Sequence, residues 1–251
     1  MNTQAAYGIQ AIPLTRGFNG SQGIIHPVLI WDEHNAILVD TGEPIHLQAV
    51  QTAMEQAGIP LARLNQIIMT HQDIDHIGNL PNLLQATPHK IEVLAHEADR
   101  PYIEGVKPLM KLKADVLRDK MNALPESELQ LRADIALLLD NPPKAGVDRV
   151  VADGDTLPYC GGITVIHTPG HTPGHISLYL SQSKTLIAGD AIVIMDGKLR
   201  KPVEQFTPDM ETAIKSLKKF VNYDVETLIC YHGGVFNGNA NEALAELAAS
   251  L

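Results

Sequence analysis

A chain of 251 residues, 45% hydrophobic and 19% charged, has the composition of a folded globular protein rather than a disordered or fibrous one. Its formal net charge of −10 argues against a grip on nucleic-acid backbone, and no apolar run is long enough to cross a bilayer. Two cysteines, Cys160 and Cys230, are too few for a disulfide framework and read as small buried hydrophobes.

The N-terminus, MNTQAAYGIQ, lacks a basic start followed by an apolar segment, which with the cysteine usage predicts a cytoplasmic protein. The run from Gly23 to Trp31 is apolar and β-rich, and Ala36–Asp40 is a short apolar strand ending at the turn Thr41-Gly42-Glu43-Pro44. Apolar residues at Ile45, Ala49, Val50, Ala53 and Met54 follow a helical period that Gly58 ends. Asn65–Thr70 reads as a buried strand, followed by a histidine-rich loop and a helix beginning near Ile77; Ile91–Leu94 is a further strand.

Residues 97–147 change character. Charges are dense, β-branched residues are few, and Pro142-Pro143 closes the segment, so it reads as a helical insertion in a single domain spanning 1–251. Leu109, Leu112, Leu117, Met121, Leu124, Leu129, Leu137 and Leu138 need something to pack on. Lys111, Lys113, Arg118 and Lys120 are the nearest thing to a basic cluster, but Asp115 and Asp119 sit among them, and the segment reads as a solvated helix face.

After the insertion β character returns. Asp148–Leu157 and Ile163–Thr168 read as strands around the turn Cys160-Gly161-Gly162, and Ile176–Leu180 with Thr185–Ala188 as a hairpin. Asp209–Val221 is an amphipathic helix, Glu226–Tyr231 a strand, and Asn239–Leu251 a final helix capped by Asn239 or Asn241. Both halves run through strands before helices, which predicts a layered sheet core faced by helices.

Four strand ends carry chemistry. His71-Gln72-Asp73-Ile74-Asp75-His76 packs four potential ligands behind a buried strand. His supplies a neutral nitrogen and Asp an anionic oxygen, both suited to a divalent first-row metal. The spacing lets His71 and Asp73 share one ion while Asp75 and His76 turn toward a second. His167-Thr-Pro-Gly-His171-Thr-Pro-Gly-His175 fixes a sharp backbone path on which one of three histidines serves as a ligand. Ala188-Gly189-Asp190 ends an apolar strand in a carboxylate that can bridge two cations, and Tyr231-His232-Gly233 ends another in a histidine. Each motif has a plainer reading on its own: a helix cap, a structural histidine, a turn aspartate. One motif ahead of the insertion and three after it, all at strand ends, point instead to a dinuclear site.

In that order, and with the Val39-Asp40-Thr41-Gly42 turn ahead of them, these motifs resemble the metallo-β-lactamase superfamily, with TPGHTPGH and AGD similar to its glyoxalase II and lactonase-like branches. The resemblance covers nearly the whole chain outside the insertion and implies an α+β fold, an αββα four-layer sandwich. It implies two divalent metal ions, zinc first and manganese or iron as alternatives. His71, Asp73 and His171 would bind one, Asp75, His76 and His232 the other, and Asp190 would bridge them. His175 is not a ligand in the family pattern, and Asp40 is a buried structural carboxylate. The implied activity is hydrolysis of an ester, lactone or thioester in a small-molecule substrate by a metal-bridging hydroxide, with Asp75 as catalytic proton acceptor. The alternatives are an iron-dependent oxidoreductase of the flavo-diiron or persulfide dioxygenase kind and a non-catalytic metal-binding protein. No nucleic-acid or membrane partner is expected.

Two departures stand out. Asp73 replaces the second histidine of the family's H-x-H-x-D-H pattern, giving a harder first site. Val193 stands where quorum-signal lactonases carry a catalytic tyrosine, leaving Tyr102, Tyr223 and Tyr231 as substitutes. The 19 residues after His232, from 233 to 251, leave no room for the glutathione-binding extension of glyoxalase II.

Overall fold

The computed structural model describes residues 7–251. In the first half lie β1 (Gly8–Ala11), β2 (Leu14–Thr15), β3 (Ile24–Ile25), β4 (Val28–Trp31), β5 (Ala36–Val39), α1 (Leu47–Gln56), β6 (Gln66–Ile68), α2 (Ile74–Ile77), α3 (Leu80–Ala86) and β7 (Glu92–His96). The insertion follows as α4 (Arg100–Ile103), α5 (Ala114–Ala123) and α6 (Leu129–Asp140). The second half contains β8 (Arg149–Val151), β9 (Thr156–Leu157), β10 (Ile163–His167), β11 (Ile176–Leu180), β12 (Thr185–Ile187), β13 (Val193–Met195), β14 (Lys198–Arg200), α7 (Met210–Leu217), β15 (Thr227–Cys230), β16 (Gly234–Val235) and α8 (Ala240–Ala249).

Two six-stranded sheets form the centre, ordered β1-β4-β5-β6-β7-β8 and β16-β15-β12-β11-β10-β9. In the first, β5, β6, β7 and β8 run parallel. A parallel strand covered on both faces reads as an unbroken apolar run, which is why Ala36-Ile-Leu-Val39 is buried at every position. Val28, Ile30, Ile37, Val39 and Ile68 of this sheet pack against Ile163, Val165, Ile176, Leu178 and Ile187 of the other. The outer face of the first sheet is covered by Val50, Met54, Leu80 and Leu83 of α1 and α3, and that of the second by Leu217, Leu244 and Phe220. This is the αββα sandwich.

Some elements differ from the sequence reading. Asp148–Leu157 is two strands in different sheets. The turn at Ala152–Asp155, closed by Ala152 N donating to Asp155 Oδ2 at 2.9 Å and by Gly154 at φ +82°, carries the chain from one sheet to the other. Gly23–Trp31 likewise breaks into β3 and β4. The helix expected near Ile77 starts at Ile74, inside the histidine motif. Leu129 and Leu137 of the insertion stay exposed, while Leu117, Ile135 and Leu138 pack on Phe18. Asn239 caps α8 by accepting from Glu242 N, and both cysteines are buried and free.

Candidate metal centre

The chemistry-bearing residues gather where β5, β6, β10, β12 and β15 end. Asp40 follows β5, the histidine motif follows β6, His171 lies in the loop after β10, Asp190 follows β12 and His232 follows β15. The parallel pairs β5–β6 and β12–β15 put four of these ends on one edge.

His71, His171 and Asp190 each present one ligand atom within 4.8 Å of the others, and Asp75, His76 and His232 do the same. Asp190 lies between the two groups. Its Oδ1 is 3.4 Å from His76 Nε2, and its Oδ2 is 3.3 Å from both His171 Nε2 and His232 Nε2. His232 Nε2 is also 3.5 Å from Asp75 Oδ2. Asp73 belongs to neither group but lies beside the first, with Oδ2 3.2 Å from His71 Nε2 and 3.0 Å from His171 Nε2. It occupies the N-cap position of α2, yet its side chain makes no capping bond. The carboxylate is therefore free to face the cleft.

Of the three histidines in the TPGHTPGH run, His171 enters the cleft. His167 stacks on His96 at 3.9 Å with its Nε2 2.9 Å from Pro173 O. His175 spends Nδ1 on Thr168 Oγ1 at 2.8 Å, and its Nε2 accepts the Asp190 amide at 2.9 Å. Asp40 accepts from Thr70 N at 2.8 Å and from Thr70 Oγ1 at 2.7 Å, and its Oδ2 lies 2.8 Å from His76 Nδ1. That contact turns His76 Nε2 toward Asp190, the arrangement by which a carboxylate orients a metal-binding imidazole.

Burial sets the protonation states. It holds His71 and His175 below the usual histidine range, which favours neutral imidazoles at both positions. Burial also opposes charge on His76, but Asp40 and Asp190 outweigh it and raise His76 well above that range. Asp73 and Asp190 are driven well below the usual carboxylate range despite burial, Asp73 by His71, His171 and Lys111, Asp190 by His232 and His76.

Three buried atoms here, His71 Nε2, His76 Nε2 and Asp190 Oδ1, have no hydrogen-bond partner. Buried polar atoms without a hydrogen bond are costly, and divalent cations at the two groups would satisfy them. The nitrogen and oxygen donors suit such an ion.

Sequence reasoning missed four residues. Lys111 is no solvated helix residue. It lies in the turn before α5, and its Nζ is 2.5 Å from Asp73 Oδ2 and 2.7 Å from His171 Nε2. Arg16 reaches Asp75 Oδ2 at 3.5 Å and Glu43 Oε1 at 3.2 Å. Asp99, fully buried, accepts from Gln72 N, Thr172 Oγ1 and Gly174 N, binding the two histidine loops together. Gln72 in turn accepts the Met110 amide at 2.9 Å. None of these had a local signal, because each acts through a partner at least 27 positions away.

The cleft above the site has a volume of about 420 Å³ and is walled by Ile74, Leu109, Leu112, Val193, Ile194 and Phe206. None of its lining residues is a tyrosine. Tyr231 is buried, stacks on His76 at 3.7 Å and donates its hydroxyl to Asp75 O; Tyr223 packs on Tyr179 and Tyr102 lies under Lys107. The lactonase tyrosine has no counterpart among the described residues of the cleft.

A family model described as metallo-beta-lactamase superfamily matches residues 20–232. The protein named probable metallo-hydrolase YflN of Bacillus subtilis (strain 168) is 30% identical over 237 residues, covering 88% of this chain and 84% of the relative. Among solved structures, the metallo-beta-lactamase family protein TTHA1429 from Thermus thermophilus superposes with a TM-score of 0.68 at 20% identity, covering 97% of this chain and 79% of its own. A metallo-beta-lactamase from Cronobacter sakazakii with an HARLDQ motif superposes at 0.65 with 18% identity, covering 97% and 92%. At such identities the two structures speak for the fold alone.

Proposed function

Because this chain belongs to the metallo-beta-lactamase superfamily and is a metal-dependent hydrolase, we propose that its cleft holds two divalent ions side by side and hydrolyses an ester, lactone or thioester in a small molecule with an apolar portion. The observation that carries this reading is the trio of buried atoms without a hydrogen bond, His71 Nε2, His76 Nε2 and Asp190 Oδ1, at the cleft floor.

His71, Asp73 and His171 would hold the first ion and Asp75, His76 and His232 the second, with Asp190 shared between them. The imidazoles favour zinc, and the extra carboxylate of Asp73 also suits manganese or iron. When bound, such a pair supplies a water acidic enough to attack near neutral pH and positive charge for a carbonyl oxygen to develop against. Asp75 accepts the proton of the attacking water. Arg16 and Glu43 steady it, since Arg16 touches both carboxylates. Leu109, Leu112, Ile194 and Phe206 take the apolar part of the substrate and keep bulk water out.

A panel of esters, lactones, thioesters and phosphodiesters, run against protein of measured metal content, tests the reading. Turnover of carbonyl substrates that follows metal content, with about two ions per chain at saturation, is the expected result. Less than about half an ion per chain after metal addition would remove the dinuclear site.

A further inference from the structure

Lys111 reaches the centre from outside the sandwich. Its side chain is 23% exposed, flanked by Leu109 and Leu112 at the cleft wall. Its turn is registered on the histidine motif itself, because Gln72, between two proposed ligands, accepts the amide of Met110, next to Lys111. Gln72 is held in turn by Asp99, to which it donates through N at 3.0 Å and Nε2 at 3.3 Å. The ammonium is thus delivered to one place by a built path.

At that place it meets two acceptor atoms at once, Asp73 Oδ2 at 2.5 Å and His171 Nε2 at 2.7 Å. A lysine ammonium has three donors and no acceptor, so it can approach His171 Nε2 only by donating to that nitrogen's lone pair. The lone pair is single, and the first ion would use the same one. The Asp73 carboxylate, whose charge would help hold that ion, is already paired with a cation.

We infer that Lys111 is a built-in competitor for the first ion: its ammonium occupies Asp73 and His171 in the metal-free protein and must swing out before that position fills. This inference rests on the two-ion reading of the centre. It makes the sites unequal. Among the described residues no lysine lies against Asp75, His76 and His232; Arg16 stands 3.5 Å from Asp75 Oδ2 but blocks no histidine nitrogen there, so that position loads first, whereas the position at His71, Asp73 and His171, where the ammonium meets both Asp73 and His171 Nε2, loads second and weakly. Met110 stays anchored while the long lysine side chain turns, so exchange needs no rearrangement of the sandwich.

The test is calorimetric titration of the metal-free full-length chain with zinc alone, for the natural protein, Lys111→Met and Lys111→Gln, with a thermal melt to establish that each variant folds. The natural chain is expected to show one tight and one weaker site. Both variants should tighten the weaker site at least about tenfold, the scale on which groups around a metal ligand act, and leave the tight site unchanged. Amine labelling read by mass spectrometry gives a second measurement on the unaltered chain, with Lys111 protected without zinc and modified at saturation. An unchanged or weakened second site in the variants, or labelling of Lys111 indifferent to zinc, would overturn the competitor role and leave the two-ion centre standing. Absence of zinc binding in all three forms would overturn both.

Discussion

Asp99 and Thr172 meet through a 2.7 Å hydrogen bond that ties the start of the insertion to the loop carrying His171. The same carboxylate accepts from Gln72 N and Gly174 N, so a single buried side chain fixes the spacing of the two loops that carry the proposed ligands. A Cβ at Gly174 would lie 2.5 Å from Asp99 N, which shows how closely the backbones are drawn together.

Asp99→Ala should therefore damage both stability and the centre. Removing the acceptor strands several buried donors, at a cost of about 3 kcal/mol, which for a chain of this length lowers Tm by roughly 6–12 °C. Zinc affinity should fall with it, and Asp99→Asn should fall between the two. A melt within about 2 °C of the natural protein, inside what ordinary surface substitutions produce, would mean that Asp99 does not organise the loops.

Asp190→Ala should empty the centre while sparing the fold. Asp190 faces His76, His171 and His232, and its backbone amide contact with His175 survives the change. Activity should drop at least about a hundredfold, with metal content reduced and an unaltered circular dichroism spectrum. Normal metal content at full activity would make Asp190 an ordinary turn residue.

Metal uptake should release protons. In the metal-free protein His76 has a raised pKa, and since Nδ1 faces Asp40, its labile proton sits on Nε2. A cation at Nε2 displaces that proton, so apparent affinity rises with pH, with a slope of about one per proton, and flattens above the raised value. Stability of the metal-free form runs the other way. A raised histidine stabilises fully below its unfolded pKa of about 6.5 and loses that contribution as pH climbs through the folded value. The rise in Tm produced by zinc should thus be larger at about pH 8 than at about pH 6, and calorimetry in buffers of different ionisation heat should count the protons. A zinc-induced shift independent of pH would contradict a protonated His76.

Asp73→His should raise zinc affinity at the first position about tenfold and shift which added metal best restores activity to stripped protein, because imidazole is softer than carboxylate. It also removes the anion that holds Lys111. Identical metal preference and affinity in both forms would count against a ligand role for Asp73.

What the sequence determined by itself is the kind of chemistry and the scaffold that bears it. Apolar runs such as Ala36–Val39 and Ile176–Leu180 can be stable only as buried strands, and His71, Asp75, His76, Asp190 and His232 follow such runs directly, so ligand type and strand end are both local facts. What only the tertiary structure decided is which neighbours those residues acquire. Asp73 and Asp99 each sit at a helix N-cap position where a capping carboxylate would be expected, and neither caps; one faces Lys111, the other Gln72 and Thr172. Lys111 belongs by composition to a mixed-charge helical stretch, and no periodicity separates it from Lys113, which stays exposed. Its place at the centre comes from the turn at 109–112, which lines the cleft wall, and from Gln72 registering that turn. Contacts between segments 38 to 98 positions apart depend on how the two sheets and the insertion close on one another, and no local pattern encodes that.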